Sequence, residues 1–165
     1  MRSKQVAPFL VLGLPIGLPP LHVANAKEGQ DHVILRSGDV KWEPAPAALP
    51  PGAQAALLFG DPAKDGPFAL RVKFPAGYHI PPHSHPVQET VTVISGSLSL
   101  GMGKTADREK AQKLTDGGFF SLPADHPHYA FMDEETVIQI TTNGPWGLNY
   151  VNPEDDPRQQ KQAAK

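Results

Sequence analysis

The chain contains no cysteine, and this absence excludes disulfide bonds, thiolate metal ligands and a lipid-modified N-terminal cysteine. Charge of either sign is not in excess, because 15 basic and 17 acidic residues leave a formal net charge of -2. We therefore expect no broad electrostatic surface for nucleic acid or for an anionic membrane. The uncharged, mostly apolar stretch at residues 6–18 is shorter than the ~20 residues that span a bilayer, and prolines interrupt it.

Residues 1–26 have the pattern of a secretory signal peptide. Arg2 and Lys4 form a basic start, the apolar stretch follows, and Ala24-Asn25-Ala26 offers small residues for cleavage before Lys27. This pattern predicts a mature protein that begins at Lys27, lies in the periplasm or is secreted, and does not contact the membrane after signal removal.

Proline and glycine, which favour turns, are abundant: the chain has 19 prolines and 15 glycines. Many turns between short runs rich in β-branched and aromatic residues favour an all-β protein with few helices. We find no convincing internal repeat, so we predict a single domain over residues 27–152. Residues 153–165 are predicted to form a polar C-terminal tail that frays.

The clearest strand pattern covers residues 68–74, where Phe68, Leu70, Val72 and Phe74 alternate with other residues. Residues 104–114 are charged and compatible with a helix, and the acidic residues 133–135 are interpreted as a solvated hairpin end. Further strands are predicted at residues 33–35, 40–42, 53–59, 90–100 with a break at Gly96, 119–122, 129–132, 136–142 and 146–151.

The most informative stretch reads Gly77-x5-His83-x-His85-x3-Glu89-x6-Gly96. Side chains two apart on an extended strand point the same way, so His83 and His85 share a face, and Glu89 can reach the same point after a short bend. Two imidazole nitrogens and one carboxylate oxygen suit a divalent transition metal. A second segment reads Gly117-x5-Pro123-Ala124-Asp125-His126-Pro127-His128.

The first segment resembles the first cupin motif at every defined position. The second resembles the second cupin motif at Gly117, Pro123 and His128, and departs from it at Asp125, where the family usually has Gly, and at Met132, where it usually has Asn. The resemblance implies a double-stranded β-helix, or jelly-roll barrel. It also implies one divalent metal (Mn, Fe, Co, Ni, Cu or Zn) held by His83, His85, Glu89 and His128.

Side-chain parity suggests what surrounds such a metal: Val91, Val93, Ala130 and Met132 share the face of the ligands and are predicted to line an apolar pocket. Glu89 is a candidate catalytic base as well as a ligand, although a purely structural role remains open. His79 and His126 are either outer-sphere partners of the ligands or solvent-exposed loop residues. Trp42 and Trp146 are interpreted as packing residues.

Two classes of function remain open. One is an exported metal-dependent oxidoreductase, similar to a dioxygenase, that acts on a small enolisable or phenolic molecule. The other is a non-catalytic cupin that binds a metal or small ligand as a sensor or scavenger, and a metal-dependent isomerase or lyase is a third option. Tyr129 and Phe131 are predicted to face outward, so we also predict a homodimer that covers them, or cover by the chain's own N-terminal segment.

Overall fold

The computed structural model describes residues 32–159. Eleven strands and three short 3-10 helices make up this part of the chain. The helices are Ser37–Asp39, Arg108–Lys110 and Pro153–Asp155. The strands are β1 (Glu43–Pro44), β2 (Gln54–Phe59), β3 (Gly66–Phe74), β4 (Tyr78–Ser84), β5 (Glu89–Ser95), β6 (Ser97–Met102), β7 (Gln112–Thr115), β8 (Phe119–Leu122), β9 (His128–Met132), β10 (Thr136–Gly144) and β11 (Asn149–Tyr150).

These strands form two antiparallel sheets, in the orders β1-β2-β3-β10-β5-β8 and β11-β4-β9-β6-β7. Consecutive strands often lie in different sheets, as in the jelly roll that we predicted. Alternating residues of β3 and β10 point into one apolar core, with Phe68 and Phe74 almost fully buried. The described residues therefore form the jelly roll that the sequence resemblance implies.

Most of the predicted strands are confirmed, although the strand predicted at residues 146–151 is limited to Asn149–Tyr150 and four other segments differ. Residues 33–35 and 40–42 are not strands. Val33, Ile34 and Leu35 are exposed and pair with no strand among the described residues. Residues 104–114 form a 3-10 turn and β7 instead of a helix. The acidic turn at residues 133–135 is not a hairpin end, because β9 and β10 belong to opposite sheets.

A register shift in β4 places the histidines of the first motif. The pairing of β4 with β9 runs from Tyr78 to Ile80 and resumes at His83, which lies opposite His128. Pro81 and Pro82 occupy the gap, and proline cannot donate a hydrogen bond to the ladder. The extra residue reverses the alternation, so that Ile80 and His83 are both buried although they are three residues apart.

Tyr129 and Phe131 are covered by the chain's own β6–β7 connection. The Tyr129 hydroxyl donates to the Asp107 carbonyl at 2.9 Å, and the Arg108 guanidinium lies 4.3 Å from the Phe131 ring centre. Gly101 leaves the space for the Tyr129 ring, since a Cβ there would lie 2.1 Å from it. The exposed aromatic surface on which we based the homodimer therefore does not exist, and homodimerisation remains a prediction without that argument.

The first part of the predicted C-terminal tail is anchored where we expected it to fray. Asp156 is buried, and Arg158 binds both its carboxylate oxygens and the Leu148 carbonyl. The predicted signal peptide and cleavage site lie outside the described residues. Within residues 32–159, no helix is long and apolar enough to cross a bilayer.

Candidate metal centre

The structure brings the four predicted ligands together inside the barrel. His83 and His85 come from the end of β4 and the residue after it, Glu89 begins β5 and His128 begins β9. All four are at most 5% exposed. Ligating atoms of the three histidines lie within 4.8 Å of one another, and the Glu89 carboxylate lies 3.3 Å from His85 Nε2 and 3.2 Å from His128 Nε2.

Backbone carbonyls fix which nitrogen of each imidazole faces the centre. The Nδ1 atom of His83 lies 2.8 Å from the Pro81 oxygen, and that of His128 lies 2.9 Å from the His126 oxygen. The Nδ1 atom of His85 lies 2.7 Å from the Gly147 oxygen. A carbonyl oxygen only accepts, so each Nδ1 carries the hydrogen and donates it. In the neutral rings, all three Nε2 atoms therefore carry lone pairs.

Burial and mutual contact set the protonation states of the site. Burial, together with the nearby His128 and His85, lowers the pKa of His83 to about 3, so this imidazole is neutral at physiological pH. Burial acts to raise the pKa of Glu89, but in the metal-free protein hydrogen bonds from His128 and His85, which need a proton on Nε2, outweigh burial and hold that pKa well below its usual range. A bound cation would take the place of those protons. The cluster at neutral pH thus contains an ionised carboxylate.

These residues fit a divalent metal. His85 Nε2 and Glu89 Oε2 are buried without a hydrogen-bond partner among the described residues. Lone pairs that face a carboxylate need a cation between them. Donor atoms that share one ion at bonds of ~2.1 Å lie ~3.0–3.4 Å apart at tetrahedral to octahedral angles, which matches the measured separations from Glu89.

A cavity of about 460 Å³ opens from the cluster. His83, His85 and Glu89 form one polar part of its wall, and Glu43 and Arg158 are its other charged residues. The rest is mainly apolar and comes from β2, β3, β4, β10 and three loops: Pro46, Ala48, Leu49, Ala55, Leu57, Pro62, Ala63, Leu70, Val72, Phe74, Ile80, Ile138, Ile140, Trp146 and Leu148. The volume lies in the ~300–1,000 Å³ range of small-molecule sites.

The predicted pocket lining was right in character and wrong in its residues. Val91, Val93, Ala130 and Met132 point inward but are packed in the core and do not line the cavity. Odd or even position along a strand indicates which face a side chain is on, but not whether it reaches open space. The cavity lies against β3 and β10 instead.

His79 and His126 are not ligands. The register shift leaves His79 stacked on Phe131, with ring centres 4.5 Å apart, away from the cluster. The His126 side chain is exposed as expected, but its backbone oxygen orients His128. Pro81-Pro82-His83 and His126-Pro127-His128 share the pattern X-Pro-His, with the oxygen of X bound to the imidazole in each case. That pattern was the available signal for these two backbone contacts.

The two departures from the cupin motif have structural explanations. Asp125 has φ 58°, the left-handed conformation that glycine adopts most easily and that aspartate tolerates better than most residues. Met132 is fully buried in the apolar core. Neither residue alters the ligand set.

Comparison with known proteins places the chain in a family. The family model described as "Domain of unknown function (DUF4437)" matches residues 22–149. Germin-like protein 3-1 of Oryza sativa subsp. japonica is 31% identical over 110 residues, which are 66% of this chain and 44% of that protein. The match thus spans less than half the length of this relative.

Solved structures share the fold. An acetylacetone dioxygenase from Acinetobacter johnsonii superposes with a TM-score of 0.58 at 17% identity, covering 82% of this chain and 93% of that one. The polyketide cyclase RemF from Streptomyces resistomycificus has a TM-score of 0.58 at 18% identity, covering 78% and 92%. At these identities the similarity concerns the fold alone.

Proposed function

The chain belongs to the DUF4437 family and to the cupin superfamily, and we propose that it is a metal-dependent oxidoreductase of the dioxygenase type. The substrate would be a small, largely apolar molecule with an enol or phenol group. One observation carries the proposal: three buried imidazoles and a carboxylate meet at one point beside a largely apolar cavity of about 460 Å³, and three of the four residues line it.

Each part of the site has a role in this proposal. His83, His85, Glu89 and His128 would hold the ion, and the carbonyls of Pro81, Gly147 and His126 keep the three Nε2 atoms directed at it. When bound, a divalent transition metal supplies Lewis acidity towards a substrate oxygen and redox chemistry towards dioxygen. Such a donor set binds several metals, so the availability of each metal determines which one is bound.

Glu89 would also move a proton. Glu89 Oε1 lies 3.3 Å from His85 Nε2 and Oε2 lies 3.2 Å from His128 Nε2, and the residue borders the cavity, so a carboxylate that binds the ion through one oxygen keeps the other for a proton. The carboxylate can therefore take the proton of a substrate enol or phenol O–H, leaving the substrate as an oxygen anion. The apolar wall from β3 and β10 would surround the substrate body and exclude water.

The structural relatives support a chemistry of this kind without assigning it. One is an acetylacetone dioxygenase, and its name suggests an enolisable dicarbonyl substrate and dioxygen as the second reactant. Another is a polyketide cyclase, which supports the alternative of an oxygen-independent isomerase or lyase. We further propose export to the periplasm or the medium, from the pattern of residues 1–26.

Glu89→Gln tests the proposal, because glutamine keeps the size and one oxygen donor but is a poor base. We expect metal-loaded Glu89→Gln to retain metal, measured by mass spectrometry, and to lose oxygen uptake with diketones or phenols. Glu43→Gln is the matched control, since Glu43 is a carboxylate in the same cavity wall and outside the cluster. It should retain both properties.

The other outcomes are equally informative. Equal loss of metal and turnover in Glu89→Gln would leave Glu89 as a ligand only. Turnover of the same substrates without oxygen uptake would favour the isomerase or lyase. A fully metallated parent protein that consumes no oxygen and converts no substrate would favour the non-catalytic binding protein.

A further inference from the structure

Trp146 lies flat against one of the candidate ligands. Its ring centre is 4.5 Å from that of His85, with 14° between the planes. On another side the indole meets the edge of Phe68, at 6.1 Å and 61°, and Phe68 is fully buried. The indole is therefore held against the imidazole by a rigid core residue, which is more than the packing role that its sequence position indicated.

The backbone around Trp146 is fixed as well. Its amide donates to the Pro62 carbonyl at 2.8 Å. Gly144 approaches the same loop so closely that a Cβ there would lie 2.3 Å from the Lys64 oxygen. The next residue, Gly147, supplies the carbonyl that accepts from His85 Nδ1. Residues 144–147 thus contact His85 at its ring face and at its Nδ1 atom.

His85 depends on distant residues in a way that the other two histidines do not. The carbonyls that orient His83 and His128 each come from two residues earlier in the same segment. His85 takes its carbonyl from a residue 62 positions away. Its plane is therefore not set by its own strand.

We propose that Trp146 is a positioning residue that fixes the plane of His85 and so directs its Nε2 atom towards Glu89. Trp146 would orient His85 by ring stacking and not by a hydrogen bond, because the indole N–H has no hydrogen-bond partner among the described residues. Phenylalanine should then substitute for Trp146, whereas leucine keeps apolar volume without a stacking face. This inference rests on the metal site proposed above.

The first test measures Co²⁺ affinity and the visible absorption of the Co²⁺ complex in the full chain. We expect Trp146→Leu to weaken Co²⁺ binding by about 10–100-fold, as for loss of other groups that orient metal ligands, and to shift the absorption bands. Trp146→Phe should restore both properties. Trp42→Phe is the matched control, since Trp42 faces the Lys73 ammonium at 4.8 Å and makes no contact with the cluster; it should match the parent protein.

A second measurement decides the matter even if Trp146→Leu does not fold. The chain has two tryptophans, so Trp42→Phe reports the fluorescence of Trp146 alone and Trp146→Phe that of Trp42 alone. Co²⁺ should quench Trp146 strongly and Trp42 weakly. Equal quenching, or a folded Trp146→Leu with the parent's affinity and absorption spectrum, would overturn the positioning role alone. A parent protein that binds no Co²⁺ would overturn the proposed metal site and this inference with it.

Discussion

Metal-free protein should lose about 2 kcal/mol of unfolding free energy between pH 7 and pH 5 through His83 alone. Burial and the neighbouring His128 and His85 lower the pKa of His83 to about 3 in the folded state. In the unfolded chain that pKa returns to ~6.5. Unfolding between these values takes up a proton, so stability is complete above about pH 6.5 and falls as the pH drops towards 3.

The magnitude follows from the distance below the unfolded pKa. At pH 5 the unfolded imidazole is ~1.5 pH units below its pKa, and each unit is ~1.4 kcal/mol, which gives about 2 kcal/mol. Glu89 acts in the same direction, because its folded pKa is lowered, but only below about pH 4.3. It does not contribute between pH 7 and pH 5.

Urea unfolding of chelator-treated protein at the two pH values measures the effect. His83→Gln should lose about 2 kcal/mol less than the parent between pH 7 and pH 5. His126→Gln removes an exposed histidine and should keep the parent's pH dependence. The lowered pKa of His79 adds a further loss that all three proteins share. If His83→Gln and the parent lose the same free energy, the neutral buried state of His83 is wrong.

Three further predictions concern metal, processing and assembly. Replacing both His83 and His85 by alanine should abolish stoichiometric metal, while His126→Ala retains it; metal analysis of purified protein checks this, and retained metal in the double variant would refute the site. Mass spectrometry of native protein should find Lys27 at the N-terminus, and an intact N-terminus on cytoplasmic protein would contradict export. The homodimer has lost its structural argument, because the chain itself covers Tyr129 and Phe131, and light scattering at micromolar concentration tests it: a monomer mass would refute it.

The ligand cluster could be predicted because its information is local. His83, His85 and Glu89 are separated by short, fixed distances on extended chain, and strand geometry converts that spacing into a shared face. His128 was predicted only from the resemblance of the second segment to the second cupin motif. The alternation along β3 likewise identifies a half-buried strand without knowledge of its partners.

The surroundings of the cluster could not be predicted, because long-range packing decides them. The register shift at Pro81 and Pro82 reverses parity and moves His79 to the outer side. Trp146 and Arg158 come to the cavity from the far end of the chain, where nothing in their local sequence marks them. Which strands border open space depends on how the two sheets separate.

The architecture of the site bears on the choice between the two classes of function. Three imidazoles and a carboxylate, buried together without a cation, are costly for a folded protein, and such local costs are typical of functional sites. A purely structural metal would have a closed coordination shell, whereas this cluster borders a cavity of about 460 Å³. The cavity suits a bound molecule in either class. The two classes differ in what they require of Glu89. A binding protein needs its carboxylate only as a metal ligand, whereas a reaction that begins with loss of an enol or phenol proton also needs one of its oxygens as a base beside the cavity.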